Sequence, residues 1–304
     1  MKQFIKKLCF FSALLLAFDF GMGKVFDMLR VNAKNGSTYQ NEYIANECSP
    51  EILILGASTA SHHYDPDVIT DALGLSCYNA GKEGCGILLE YARFSMITER
   101  KNTKIVIYDV TPQYDYLVET PENYSKYTGQ LKPYYNKAPV QEVMQKVSSP
   151  ESIFLLKVSS LYRYNSRVLA LIADSIVDRN GVRQNGFSPL SGVMKPQNKN
   201  DSVSADELKI DSKKWEFMEK LIQDCEKNGI TLIFAVSPAY GGQLSEKYSP
   251  IQDLAEKHNI PFWNYIDHAE ISTNSELFQD KIHMNKDGAA KYSKIIAGEL
   301  ISVF

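Results

Sequence analysis

Short, uninterrupted runs of apolar residues recur along the chain, as expected of strands that are buried on both faces of a parallel sheet. They lie at residues 51–56, 76–79, 104–108, 231–236 and 261–264. Helical patterns stand between them, with apolar residues spaced by three and four at 215–225 and again at 292–303. Strands that alternate with helices predict parallel βαβ units and a doubly wound α/β fold.

The amino-terminal 30 residues carry an export pattern. Three lysines at positions 2, 6 and 7 precede an uncharged apolar run from 8 to 18, which is typical of a signal peptide or a signal anchor with its amino terminus in the cytoplasm. Residues 21–23, Gly-Met-Gly, offer a cleavage site, whereas apolar residues beyond them favour a retained anchor. A third interpretation of this segment is a buried helix of a cytosolic protein. The sequence thus predicts a bacterial envelope protein, anchored in the inner membrane with its domain outside the cytoplasm, or secreted if cleaved.

The segment 113–206 differs from its surroundings. It is rich in Tyr, Pro, Asn and Ser and has one helical stretch near 154–177. We therefore expect a domain at 45–304 in which 113–206 is an insertion that caps the carboxyl edge of the sheet, rather than a second independent domain.

Composition excludes several classes of protein. In 304 residues, 44% are apolar and 23% charged, which is the balance of a globular protein. With a net charge of -3, the chain has no excess of positive charge to attract the phosphate backbone of a nucleic acid, so nucleic acid is not an expected partner. The five cysteines, at 9, 48, 77, 85 and 225, have no zinc spacing. Cys77 and Cys85 are either a disulfide pair in an exported protein or buried free thiols.

Candidate chemistry lies where strands end, because functional crevices of such sheets are at the carboxyl ends of the strands. Ser58 directly follows the first predicted strand. Near the other end of the sequence, Asp280 precedes His283 by three residues. Within one helical turn this spacing lets the carboxylate hold one nitrogen of the imidazole, which leaves the other nitrogen to face a serine. Ser58, His283 and Asp280 therefore form a candidate nucleophile, base and orienter for acyl transfer.

Three motifs together give a resemblance to a known family. Gly56-x-Ser58 follows the first strand, Asn79-x-Gly81 follows the second, and Asp280-x-x-His283 opens the last helix, with an asparagine and a glycine at 285 and 288. Over residues 45–304 the chain resembles the SGNH (GDSL-like) hydrolase superfamily.

The resemblance implies a flavodoxin-like three-layer α/β/α fold without a cofactor. It also implies roles: Ser58 as the nucleophile, His283 as the general base and Asp280 as its orienter. The backbone N–H groups of Ser58 and Gly81 would form the oxyanion hole.

One position departs from the family pattern. A third oxyanion donor is expected from an asparagine in a Gly-x-Asn-Asp turn after the third strand, but residues 108–113 read Tyr-Asp-Val-Thr-Pro-Gln. Thr111 or Asn79 are the candidate substitutes, since the negative charge of Asp109 would not stabilise an oxyanion. In this departure and in its export signal the chain is similar to a membrane-attached branch of the superfamily that takes part in acylating extracytoplasmic polysaccharides.

Other readings remain open for single residues. Ser58 could simply cap the following helix. His62, Asp109 and Thr111 are possible site-lining residues, and His62 with its neighbour His63 could bind metal, although ligand spacing is lacking and no metal is expected. A further interpretation takes residues 58–61 as the phosphate-binding loop of a flavodoxin, but this segment lacks the glycines that let the backbone close on a phosphate.

Two functions follow from the sequence. The first is an exported serine-dependent esterase or O-acyltransferase that acts through an acyl-enzyme on an acylated envelope glycan or a small ester, with the membrane as its other partner. The alternative is a catalytically weak or inactive SGNH-like envelope protein that binds glycan or a partner protein.

Overall fold

A computed structural model of the chain describes residues 1–119, 124–165, 167–176, 184–194 and 208–303. The chain divides into two compact units. Of the described residues, 1–46 and 124–176 form the first, which we call the helical unit. Residues 47–119, 184–194 and 208–303 form the second, which we call the sheet unit.

The sheet unit contains five parallel strands in the order β2-β1-β3-β4-β5. This is the strand order of the flavodoxin-like doubly wound fold, so the predicted fold class is confirmed. All five predicted strands are present, and they are β1 (Ile52–Gly56), β2 (Cys77–Asn79), β3 (Ile105–Asp109), β4 (Thr231–Val236) and β5 (Phe262–Asn264).

Helices connect the strands of the sheet unit and build the helical unit. Those of the sheet unit are α3 (Ser58–His63), α4 (Pro66–Leu73), α5 (Ile87–Thr98), α6 (Pro112–Asp115), α12 (Ser212–Asn228), α13 (Ser249–Lys257) and α14 (Lys286–Ile301). Those of the helical unit are α1 (Lys2–Val31), α2 (Gly36–Asn46), α7 (Ser125–Thr128), α8 (Ala138–Val147), α9 (Pro150–Val158), α10 (Ser160–Tyr164) and α11 (Val168–Ile176).

The main core lies against one face of the sheet. Alternate strand residues such as Ile52, Ile54 and Ile107 pack there with side chains of α4 and α14. The intervening residues, such as Leu53 and Val106, are buried on the other face. Both faces are therefore covered, which is why these strands read as continuous apolar runs.

The segment predicted as one insertion is divided between the units. Residues 113–119 and 184–194 belong to the sheet unit, whereas 124–176 group with the amino-terminal residues 1–46. The helical stretch predicted near 154–177 is also divided, because α9 ends at Val158 and α10 ends at Tyr164. Tertiary packing explains the grouping: Tyr164 and Leu171 form a small core with Phe26 of α1.

The helix α1 is long and apolar enough to cross a membrane, and it is the one such helix in the described residues. Only 6% of its most apolar window is buried inside the structure. That exposure is unlike a helix in the core of a soluble protein, and it is compatible with a signal anchor or a signal peptide.

All five cysteines are free thiols, so Cys77 and Cys85 are not paired. Cys48 and Cys85 are buried, as expected of small apolar core residues. Burial raises the pKa of the Cys48 thiol to about 12, which makes it unreactive at neutral pH.

Candidate active site

Ser58 lies at the turn between β1 and α3, at the carboxyl edge of the sheet. Gly56 ends β1 with a φ of 134°, and a side chain there would come within 2.4 Å of the backbone oxygen of Asp109 on the neighbouring strand. Only glycine accepts both this φ and this close approach. The sharp turn at Gly56 makes Ser58 the first residue of α3.

Asp280 and His283 lie in a tight loop, not in the helical turn that their spacing predicts. Phe278 and Met284 form an antiparallel bridge that closes this loop. Asp280 Oδ1 accepts hydrogen bonds from the backbone N–H groups of Ile282 and His283, each at 2.8 Å. The aspartate side chain therefore shapes the loop as well as facing the imidazole.

The three residues predicted as nucleophile, base and orienter lie within hydrogen-bond distance of one another. His283 Nε2 is 2.9 Å from Ser58 Oγ, and His283 Nδ1 is 2.9 Å from Asp280 Oδ2. A carboxylate only accepts, so Nδ1 carries the hydrogen and Nε2 can accept the proton of the serine hydroxyl. This is the arrangement that nucleophilic acyl transfer requires.

The environment keeps Asp280 ionised. Burial acts to raise the pKa of Asp280, but hydrogen bonds from the side chain and backbone of His283 and the backbone of Ile282 outweigh it, and the pKa lies below its usual value. An ionised carboxylate at this place stabilises the imidazolium that forms when His283 takes up a proton.

The predicted oxyanion donors differ in whether they are available. Asn79 is fully buried, and its amide donates to the backbone oxygens of Ala60 at 2.7 Å and Tyr64 at 2.9 Å. Its Oδ1 accepts the backbone N–H of Gly81 at 3.0 Å. The Asn79 amide is therefore engaged with backbone carbonyls and the Gly81 N–H with Asn79, and the oxyanion roles expected of these two residues stay predictions. Within the described part of the chain, the Ser58 N–H is given to no protein acceptor.

Gly81 nevertheless lies close to the start of α3. A side chain at residue 81 would come within 2.7 Å of the Ala60 side chain and 2.8 Å of the Ser61 backbone nitrogen. The glycine is required for this close approach of the two backbones.

Asp109, one of the predicted lining residues, is 1% exposed and lies beneath α3 rather than in a crevice. Its carboxylate accepts hydrogen bonds from Thr59 Oγ1 at 2.8 Å, from Tyr64 at 2.6 Å and from the Ser237 hydroxyl. Burial raises the pKa of Asp109 to about 6, against these hydrogen bonds. The side chain thus supports the turn after β1 from below, and its expected place in the lining of the site stays a prediction.

Thr111, the other candidate for the missing third donor, differs from Asn79 in what its side chain contacts. Its backbone N–H donates to Asp115 Oδ2 at 2.6 Å, whereas its hydroxyl makes no capping hydrogen bond to α6. The Thr111 hydroxyl as an oxyanion donor therefore stays a prediction.

His62 lies beside the imidazole of His283, with ring centroids 5.7 Å apart in an edge arrangement. Its Nδ1 is 2.6 Å from the backbone oxygen of Ser188, so Nδ1 carries the hydrogen and Nε2 is an acceptor, 4.0 Å from Glu83. Burial lowers the pKa of His62. A neutral His62 therefore adjoins the pair formed by Ser58 and His283.

His63 has a role that the sequence analysis missed. It is fully buried, and its Nε2 accepts the backbone N–H of Met284 at 2.9 Å. Burial lowers the pKa of His63 well below its usual value, so the ring stays neutral and remains an acceptor. It holds the residue that directly follows His283. The two histidines after Ser58 could be seen in the sequence, but the hydrogen bond between His63 and the Met284 N–H could not.

Among the described residues, no group of three or more His, Cys, Asp or Glu side chains is arranged to hold a metal ion.

Searches with protein-family models and against curated proteins find no match to this chain. Solved structures do match. One is a protein described as a lipolytic member of the G-D-S-L family from Desulfitobacterium hafniense, with 9% identity, 82% of this chain and 98% of that chain covered, and a TM-score of 0.38. An acetyl xylan esterase, AlAXEase, has 12% identity, coverage of 83% and 98%, and a TM-score of 0.39. A GDSL-like lipase from Bacteroides thetaiotaomicron has 9% identity, coverage of 93% and 98%, and a TM-score of 0.38.

Proposed function

We propose that this protein is a serine-dependent ester hydrolase or O-acyltransferase of the SGNH (GDSL-like) superfamily. The observation that carries the proposal is the hydrogen-bonded series from Ser58 through His283 to Asp280. Its position supports the proposal too, because the carboxyl edge of a flavodoxin-like sheet is where such folds bind their ligands.

The proposed reaction begins with attack of Ser58 Oγ on the carbonyl carbon of an ester while the hydroxyl proton passes to His283 Nε2. The Ser58 N–H donates to the oxyanion that develops. Collapse of this intermediate breaks the bond to the alcohol, which leaves with the proton from Nε2 and leaves an acyl group on Ser58. A water or a second alcohol then gives its proton to Nε2 and attacks the acyl carbon; the bond to Ser58 Oγ breaks, and Nε2 returns the proton to Oγ.

The substrate class that we propose is an acylated carbohydrate of the cell envelope or a small ester. Its support is the export pattern of residues 1–30 together with the exposed apolar helix α1, since an anchored enzyme outside the cytoplasm meets envelope polymers. Water as acceptor gives hydrolysis, and a hydroxyl of a second carbohydrate gives transfer.

A second candidate is an envelope protein of the same fold with little or no turnover, which binds glycan or a partner protein. The oxyanion site favours it, because Asn79 is committed to backbone carbonyls and the Gly81 N–H to Asn79. Loss of one preorganised donor costs about 10²–10³ in kcat.

Labelling of the purified full-length chain with a fluorophosphonate probe tests the proposal. We expect label on the wild type and none on Ser58→Ala. The matched control is Ser61→Ala, one turn further along α3, which should label like the wild type. Equal labelling of wild type and Ser58→Ala would refute the assignment of the nucleophile.

Turnover of a short-chain nitrophenyl ester separates the two candidates. The esterase reading requires measurable hydrolysis that His283→Ala abolishes. A probe-reactive Ser58 without turnover of any ester would favour the binding protein.

A further inference from the structure

The apolar helix α1 packs against other helices of the helical unit only from about halfway along its length. The Asp19 carboxylate accepts hydrogen bonds from the Ser159 hydroxyl at 2.5 Å and from the backbone N–H groups of Ser160 at 2.7 Å and Leu161 at 3.2 Å. A side chain at Gly23 would come within 2.2 Å of the Ser160 side chain. The part of α1 that follows residue 18 is therefore packed on one side, while the part before it is exposed on all sides.

The helix α10 runs alongside α1 in the same direction. Its first residue, Ser160, is level with Asp19 and Gly23, and its last residue, Tyr164, is level with Phe26, where the ring centroids are 5.4 Å apart. The chain that precedes Ser160 is α9. Consequently the carboxyl end of α9 lies at the end of the helical unit from which α1 emerges as an exposed apolar helix.

The helix α11 has the same direction. Val168, at its start, packs with Met22 and Phe26 in the small core of the unit. Ser175, near its end, donates from its hydroxyl to the backbone oxygen of Leu29 at 3.2 Å. The first turn of α11 is therefore at the same end of the unit as α9.

Large apolar side chains are exposed along α9 and in the first turn of α11. Phe154 is 62% exposed and Leu169 is 84% exposed, and Leu155 and Val158 are exposed as well. We call these four residues the apolar rim. An exposed group of this kind on a soluble surface marks an interaction site. Lys157 lies within the α9 part of the rim and is exposed, which suits the anionic headgroups of a bilayer.

The length of α1 brings the rim to the membrane surface. From Phe4 to Phe18 the helix has fifteen residues, or about 22 Å at 1.5 Å per residue. The hydrocarbon layer is about 30 Å thick. If α1 spans it, Asp19 and the helices attached there are drawn to the outer boundary of that layer, because the part of α1 that is exposed on all sides is shorter than the layer is thick.

We propose that the apolar rim is a second membrane contact, which seats the helical unit in the headgroup region of the phospholipid bilayer that α1 crosses. Phe154, Leu155, Val158 and Leu169 enter the boundary between headgroups and acyl chains. Such partly inserted helices bind through the apolar area that they bury and through attraction of basic side chains to anionic lipid. The proposal rests on α1 as a retained anchor and not on the chemistry at Ser58.

Tryptophan quenching in the full-length chain tests this contact. The protein is reconstituted into vesicles of phosphatidylethanolamine and phosphatidylglycerol, with or without bromine on the acyl chains. Tryptophan replaces Phe154 or Leu169 in separate variants. We expect brominated lipid to remove much of the added emission of both variants, after subtraction of the emission of Trp215 and Trp263 measured in the unsubstituted chain.

The matched control is Ile176→Trp, because residue 176 is 75% exposed and lies seven residues beyond Leu169 on the same helix, about 10 Å further from the bilayer. We expect no loss of emission there. Phe11→Trp, within the apolar part of α1, reports whether the anchor itself is inserted and should be quenched.

Quenching at residue 11 without quenching at 154 and 169 would overturn the proposal and leave the rim to a protein partner or a second copy of the chain. Equal quenching at 154, 169 and 176 would also overturn it, because exposure alone would then explain the signal. Failure to quench at residue 11 would refute the anchor on which the proposal rests. None of these outcomes depends on esterase activity.

Discussion

The carboxylate of Asp280 has two tasks. Oδ1 accepts the backbone N–H groups of Ile282 and His283 and is 3.1 Å from His283 Nδ1, and Oδ2 is the oxygen nearer to Nδ1, at 2.9 Å. An asparagine could keep the first contacts through its amide oxygen, but its NH₂ group would then face Nδ1 of His283. The imidazole would carry its hydrogen on Nε2 and could not accept the proton of Ser58.

We therefore expect Asp280→Asn to lower kcat for a nitrophenyl ester by about 10³–10⁴-fold, by analogy with other triads, with little change of thermal midpoint. Steady-state kinetics and a melting curve measure the two quantities. Asp280→Ala, which also removes the loop contacts, should lower the midpoint as well. A kcat for Asp280→Asn within a factor of ten of the wild type would contradict this role.

The acceptor nitrogen of His63 gives a second prediction. His63→Leu leaves the buried N–H of Met284 without a partner and frees the loop that carries His283. A displacement of about 1 Å near a reacting group costs about 10²-fold in rate, so we expect a loss of that order in kcat. His63→Gln offers an amide oxygen to the same N–H and should restore most of it.

The shape of the pH profile distinguishes positioning from proton transfer by His63. Because burial holds the pKa of His63 well below its usual value, the apparent pKa values of kcat should be the same in wild type and His63→Gln. Equal losses of kcat in His63→Leu and His63→Gln would show that His63 does not act on kcat through its hydrogen bond to Met284.

The candidate triad could be predicted from the sequence because each member must be a particular residue type at a strand end or loop. The environment of Asn79 could not. Asparagine both donates and accepts. Here it donates to the backbone carbonyls of Ala60 in α3 and of Tyr64 just after α3, and it accepts the backbone N–H of Gly81. Which of its atoms remain available depends on how α3 packs over β2, and no local pattern records that packing.

Among the helices, the start of α14 has the most specific local contacts. Asn285 Oδ1 accepts the backbone N–H groups of Asp287 at 3.0 Å and Gly288 at 3.1 Å. Its Nδ2 donates to the backbone oxygens of Gly192 at 2.9 Å and Glu276 at 2.7 Å. One side chain therefore caps the helix and joins it to two loops.

Replacing Asn285 should separate these tasks. Asn285→Ser keeps a cap acceptor but loses both donated hydrogen bonds, whereas Asn285→Ala loses everything. We expect alanine to lower the free energy of unfolding by about 2–4 kcal/mol and serine by roughly half as much, measured by urea denaturation. Identical losses in the two variants would show that the cap contributes nothing.

At the scale of elements, the strands could be predicted because burial on both faces leaves an uninterrupted apolar run. The helix α2 could not be predicted, since its sequence is largely polar. Its Thr38 gives both its backbone N–H, at 3.0 Å, and its hydroxyl, at 2.7 Å, to Asp174 of α11. A partner 136 residues away stabilises the helix, and local periodicity carries no trace of it.

At the scale of the molecule, buried carboxyl groups set the dependence of stability on pH. Burial raises the pKa of Asp115 to about 7 and that of Glu90 to about 8. Glu90 faces Arg93 at 3.5 Å, and neither of its oxygens has a hydrogen-bond partner among the described residues. In the unfolded chain both groups titrate near pH 4.

The folded chain therefore binds more protons than the unfolded chain between about pH 4 and the raised pKa values. Stability from these groups is fully present below pH 4 and is lost as pH rises to 8, at roughly 1.4 kcal/mol per pH unit for each carboxyl. We expect urea unfolding at pH 5, 6, 7 and 8 to show this fall, and Glu90→Gln to reduce its slope. The exposed control Glu246→Gln should keep the slope of the wild type, and an unchanged slope in Glu90→Gln would contradict the raised pKa.

The division into two units could not be predicted from the sequence either. The apolar residues that follow position 23 indicate that α1 continues. No local sequence pattern, however, identifies Tyr164 and Leu171 as the residues that pack against Phe26. Long-range packing of this kind joins residues 1–46 to 124–176, whereas the predicted organisation placed them in different parts of the protein.

Ser58 and His283 stand 225 residues apart, in the first strand-to-helix turn of the sheet and in the loop before α14. A nascent chain exposes the hydroxyl long before it holds the ring that would activate it. During synthesis the serine therefore has the reactivity of an ordinary alcohol, and the His283 ring can reach its hydroxyl only when the last helix docks. Proteolytic release of that helix would therefore inactivate the folded protein with a single cleavage.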